Sequence, residues 1–146
     1  MGLIQYWKEE IFGMGTWRRL TTVSAECMEN EHRELESFLV SLSRLASSGE
    51  SFFKVKEVLD RVLDYARFHF IDEEALMKQH NYPELQLHTD DHARILFRIE
   101  CLLQDYEAGR AVFSSDVSDV LRDWVEEHIQ DYDLKLASFL NVKGVN

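Results

Sequence analysis

Six histidines punctuate the chain: His32, His69, His80, His88, His92 and His128. Five of them, all but His80, fall on apolar stripes of helical period, among leucines and valines. An imidazole buried without a partner costs a few kcal/mol. The net stability of a domain is only about 5–15 kcal/mol. Several unpartnered imidazoles in one core would therefore consume it, and a metal ion is the simplest partner they can share. Spacing sharpens the point. His69 and Glu73 are four residues apart and stack on one helix face, as do His88 and His92. Asp133 follows His128 by five. Five residues turn an ideal helix by about 500°, which leaves the two about 140° apart. Asp133 reaches inward only from the bundle's edge or through a local π-type widening.

The elements that must carry these residues are helices. The chain has one proline and six glycines, and that scarcity of breakers favours long helices. Interior breaks fall at Ala46–Ser51, at His80–Pro83, and from Glu107 to Asp116. Four segments of about 20 residues remain, each about 30 Å long if helical. The first carries His32, Leu35, Leu39, Leu42 and Ala46; the second Val55, Val62, Ala66, His69 and Glu73. The third opens at Pro83, a favourable first helical residue, and runs through Leu85, His88, His92, Ile99 and Leu103. The fourth is capped by Ser115 or Asp116 and carries Val117, His128, Tyr132, Leu136 and Leu140. Short loops between amphipathic helices make neighbours antiparallel. The expected fold is all-α, an up-down-up-down four-helix bundle over residues 17–146 with an N-terminal extension at 1–16. Tyr6, Trp7, Ile11 and Phe12 of that extension pack on the bundle or meet a partner.

Composition excludes several classes. The 146 residues, 45% hydrophobic and 29% charged, suit one globular domain. The net charge of −11 argues against nucleic acid and against an acidic membrane surface, and suits a holder of cations. Cys27 and Cys101 are too few for a disulfide scaffold or a cysteine zinc site, and read as small core residues. No uninterrupted run of 18 apolar residues spans a membrane, and Lys8, Glu9 and Glu10 interrupt any signal peptide. The expected compartment is the cytoplasm. His80, in the turn before Pro83, reads as a solvated histidine.

The series His32, His69-Phe70-Ile71-Asp72-Glu73, His88-x-x-x-His92 and His128-x-x-x-x-Asp133 resembles the ligand set of the hemerythrin family. The text around it is similar too: Glu31-His32-Arg33-Glu34-Leu35, Glu73-Glu74-Ala75-Leu76-Met77, Tyr82-Pro83 and Trp124-Val125-x-x-His128-Ile129, with Trp17 upstream. The resemblance runs from about Trp17 to Leu140. It implies a cofactor of two iron ions, a non-haem di-iron centre with a bridging oxide or hydroxide, that binds dioxygen reversibly. Carried over residue by residue, His88, His92 and His128 hold one iron, His32 and His69 the other, and Glu73 and Asp133 bridge them. That set fills the first iron and leaves a position for dioxygen on the second. Imidazole and carboxylate suit iron, and thiolate ligands are absent. Oxygen-activating di-iron bundles carry more carboxylates, in Glu-x-x-His pairs, whereas here histidines predominate.

The pocket beside such a centre should be apolar, and Leu35, Phe70, Trp124, Val125 and Ile129 are the candidates that neighbour ligands in sequence. Val125 stands where the family usually has leucine, which opens the path to the iron. Ser24-Ala25, Glu29 and Glu31 also depart from the family pattern, at the approach to the first helix. The leading expectation is an oxygen carrier or store, not an enzyme. The alternatives are an oxygen or redox sensor acting through residues 1–16, a di-iron redox enzyme using peroxide, nitric oxide or ferrous iron, and a bundle that holds zinc or stays empty.

Overall fold

The computed structural model describes residues 25–49, 51–110 and 114–145. The extension, Trp17 and Ser24 lie outside those residues, as do the side chains of Cys27, Glu29 and Glu31. Helix α1 spans Ala25–Ser47, α2 Phe52–Gln79, α3 Leu85–Glu107 and α4 Ser115–His128. A π-helical turn, Ile129–Asp133, joins α4 to α5, Leu134–Val142. The rod from α4 to α5 is the fourth helix of an antiparallel bundle. Helix α1 packs on α2 and α4, α2 packs on α3, and α3 closes the ring against α4. No strand occurs among the described residues, and no helix among them is long and apolar enough to cross a membrane.

Two helix starts differ from the sequence expectation, each for a local reason. Helix α3 begins at Leu85 rather than Pro83. Tyr82 is buried against Met77 and Phe139, and that anchor keeps Pro83 and Glu84 in a turn. The cap of α4 is Ser114, one residue ahead of the expected pair. Its backbone is extended, and its hydroxyl accepts from the Val117 N–H at 3.4 Å. Ser51 caps α2 in the same way, accepting from Lys54 N–H. Asn81 at φ 54° makes the sharp reversal between α2 and α3.

The apolar stripes meet as two clusters. Leu35, Leu39, Leu42, Val55, Leu59, Val62, Ala66, Ile95, Ile99, Leu121 and Val125 fill one. Leu76, Met77, Tyr82, Leu136 and Leu140 fill the other. Burying each such leucine stabilises the fold by about 1.5–3 kcal/mol. Between the two clusters, on every helix of the bundle, lies a layer of polar side chains.

Candidate metal centre

His32 comes from α1, His69 and Glu73 from α2, His88 and His92 from α3, His128 from the end of α4, and Asp133 from the π turn. The helical pairs sit one turn apart on the inner faces of α2 and α3. Asp133 reaches the same layer because the turn is widened: the Leu134 N–H bonds back to the Ile129 carbonyl, five residues earlier. The extra residue is absorbed, and Asp133 lands near the azimuth of His128. Of the two routes inward left open by spacing, the fold uses the widened turn.

All seven side chains converge. Ligand atoms of Glu73, His88, His92, His128 and Asp133 lie within 4.8 Å of one another, and so do those of His32, His69, Glu73 and Asp133. Glu73 and Asp133 belong to both sets. Asp133 divides its oxygens between them: Oδ1 is 2.9 Å from the Nε2 atoms of His88 and His128, while Oδ2 is 2.8 Å from His32 Nε2. Glu73 Oε2 is 2.9 Å from His92 Nε2, 3.3 Å from His88 Nε2 and 3.9 Å from His69 Nε2.

His92 Nε2 and Glu73 Oε2 are hydrogen-bonded at 2.9 Å, but several of the other atoms are close without an aligned hydrogen bond. His32 Nε2, His128 Nε2, both nitrogens of His88 and both oxygens of Asp133 are buried with no aligned hydrogen bond. A buried polar atom left so costs about 1–3 kcal/mol. Donor atoms crowded at 2.8–2.9 Å without hydrogen-bond alignment are what a shared cation resolves. The donor set of imidazole and carboxylate fits iron.

Outside the seven, two rings are backed by carboxylates. His92 Nδ1 lies 2.9 Å from Glu74 Oε1, and His128 Nδ1 lies 2.7 Å from Asp91 Oδ2. Asp91 Oδ1 in turn accepts from Arg94 at 2.6 Å. Glu74 and Asp91 were not singled out from sequence. Each sits one residue from a ligand, but among 27 acidic residues adjacency alone is no signal. Phe70 stacks on His92 with centroids 3.9 Å apart, and Tyr132 stacks on His128 at 5.3 Å.

The family model described as "Hemerythrin HHE cation binding domain" matches residues 23–140. The chain belongs to the hemerythrin family. It is 24% identical over 125 residues to the bacteriohemerythrin of Campylobacter jejuni, covering 86% of this chain and 94% of that relative. It is 27% identical over 121 residues to the bacteriohemerythrin of Stenotrophomonas maltophilia, covering 83% and 78%. A crystal structure of wild-type hemerythrin superposes with a TM-score of 0.70 at 24% identity, covering 81% of this chain and 91% of that one. Hemerythrins bind iron and dioxygen.

Within this hemerythrin bundle a small cavity adjoins the ligand layer. His32, His69, His128 and Asp133 form its polar end. Leu35, Leu39, Val62, Ala66, Phe70, Ile95, Ile99, Leu121, Val125 and Ile129 form the apolar remainder. Its free volume is about 10 Å³, about that of one water-sized molecule. Four of the five expected pocket residues line it. Trp124 does not: one position before Val125, it is turned about 100° away. It lies half-buried at the rim of the core, under the Arg98 guanidinium at 5.2 Å. His80 ends α2, away from the ligand layer, with its carbonyl accepting from Lys143 Nζ. Cys101 is a half-buried free thiol on α3.

The charges of the layer are set by proximity. Burial and the charge of Asp133 push Glu73 up, but pairing with His88 and His92 and the charge of His69 outweigh them and hold it at about 2. Burial pushes His88 down, yet pairing with Asp133 and Glu73 prevails and raises it to about 9. His128 is raised the same way, against its burial, by Asp133 and Asp91. Burial raises Asp133, and its three histidine neighbours reverse this and hold it well below the usual carboxylate range. Without metal, protons on His88 and His128 offset the charge of the two carboxylates.

Proposed function

We propose that this chain binds dioxygen reversibly at a di-iron centre and serves as an oxygen carrier or store rather than as an enzyme. The observation that carries the reading is the sharing of Glu73 and Asp133 between two ligand sets, with the two oxygens of Asp133 turned to different sets. In this reading His88, His92 and His128 would hold one iron and His32 and His69 the other, with Glu73 and Asp133 shared between them. Iron held there would supply the electrons that reversible dioxygen binding requires.

The protein's own part is to hold and to exclude. Packing of Phe70 on His92 and of Tyr132 on His128 fixes two ligand rings. Leu35, Phe70, Val125 and Ile129 line the cavity beside His32 and His69 and would keep water and its protons from that side of the centre. Trp124 packs at the edge of the core rather than facing the ligand. Residues 17–146 act as the oxygen-binding unit and residues 1–16 as an appendage to it. The charge of −11 leaves nucleic acid an unsuitable partner, and a cytoplasmic setting suits the free thiol of Cys101.

An optical spectrum of the anaerobically reduced, iron-loaded protein, cycled between air and deoxygenation, tests the proposal. A visible charge-transfer band that appears with air and vanishes on deoxygenation is the expected result. Irreversible conversion to an oxidised spectrum overturns it and moves the weight to redox sensing or catalysis.

A further inference from the structure

We infer that the two halves of the centre load in order, the three-histidine half first, and that Asp91 and Glu74 are positioning residues for that first step. The inference rests on the di-iron reading above. Both carboxylates back rings of the same half: Asp91 meets His128 Nδ1 at 2.7 Å and Glu74 meets His92 Nδ1 at 2.9 Å. With Nε2 facing the ligand cluster, Nδ1 carries the proton and donates it to the carboxylate. That bond fixes the ring's tautomer and rotation and strengthens Nε2 as a donor. Asp91 is itself fixed, being buried on one side and held by Arg94 at 2.6 Å on the other.

The bonds also run between helices. Glu74 on α2 holds a ring of α3, and Asp91 on α3 holds a ring of α4. Two of the three rings of the three-histidine half, His92 and His128, are therefore held across helices before any metal arrives. That half offers three imidazoles to the other half's two, together with the same pair of shared carboxylates. The first ion takes up much of the charge of Glu73 and Asp133. A second ion then meets weakened carboxylates and a neighbouring cation, and binds less tightly.

Calorimetric titration of the metal-free full chain with cobalt(II), in the absence of air, reads the order directly. The wild type should bind two ions in two resolved steps. His69→Ala should lose the weaker step and keep the tighter one. In the His69→Ala background, Asp91→Asn and Glu74→Gln should each weaken the remaining step by about 10–100-fold. Asparagine and glutamine keep a hydrogen-bond acceptor and remove the charge, so a purely structural role would leave the affinity nearly unmoved. Circular dichroism checks that each variant keeps its helices, and Glu74→Gln decides the matter if Asp91→Asn does not fold. Loss of the tighter step in His69→Ala overturns the order, and unchanged affinity in the carboxamide variants overturns the role of the two carboxylates. Fewer than two ions on the wild type overturns the di-iron reading itself, and the inference with it.

Discussion

Asp133, which with Glu73 belongs to both ligand sets, is the residue whose two oxygens are divided between them. Its two oxygens face different histidine sets, so one side chain ties them into a single unit. Asp133→Ala should leave the three-histidine half able to hold an ion and deprive the pair of a bridge. Metal analysis after loading and desalting should fall from two irons per chain to one or fewer; retention of two would contradict a bridging role. Val125 acts differently, as wall rather than ligand. It lines the small cavity, and leucine in its place would add a methylene to a space of about 10 Å³. Val125→Leu should slow oxidation of the iron-loaded protein in air, and Val125→Ala should hasten it, each severalfold. The decay of the reversible optical band measures both. Equal decay in all three proteins would show that this wall does not control access.

At the scale of the element, the π turn decides whether the fourth helix works. Leu136 and Leu140 are eight and twelve residues after His128, which in an unbroken α-helix puts them out of phase with it. The π turn takes up one residue, so Asp133, Leu136 and Leu140 behave as if four, seven and eleven residues on. Deleting the exposed Asp131 should therefore restore a plain α-helix and leave the bundle folded, with two ions bound. Inserting one alanine after Gln130 should turn Asp133, Leu136 and Leu140 about 100° from the core. It should cost about 2–5 kcal/mol for each displaced leucine and abolish loading at the bridged centre. Thermal melts and metal stoichiometry of the two variants test this, and equal behaviour would refute it. The same element shows what was legible beforehand. The apolar periodicity and the scarcity of breakers foretold four helices, and the two His/Glu pairs at spacing four foretold a common layer. The widened turn was only one of two ways to bring Asp133 inward. Glu74, Asp91 and the rotation of Trp124 off the cavity depend on contacts between helices, which periodicity along one helix does not encode.

The whole molecule couples its stability to the charge state of the ligand layer. Without metal, His88 titrates at about 9 in the fold, against about 6.5 for an ordinary histidine. A raised value contributes stability that is fully present below about pH 6.5 and is lost as pH rises through 9. Glu73, held at about 2, contributes stability that is present above about pH 4.3 and is lost as pH falls through 2. The metal-free bundle should therefore be most stable between about pH 4.5 and 6.5, with its melting temperature falling from there toward pH 9. Metal reverses the alkaline arm. The ion takes the place of the imidazole protons as the partner of Glu73 and Asp133, so loading at neutral pH should release protons, and affinity should rise with pH up to about 9. The loaded protein should keep its melting temperature where the metal-free protein is losing it, so the gap between the two curves should widen from pH 6.5 to 9. Circular dichroism melts with and without bound metal, and proton release followed by a dye in weak buffer, measure the two sides of this exchange. A metal-free protein that gains stability toward pH 9, or loading that releases no protons, would show that the carboxylates of the layer are balanced by something other than these histidines.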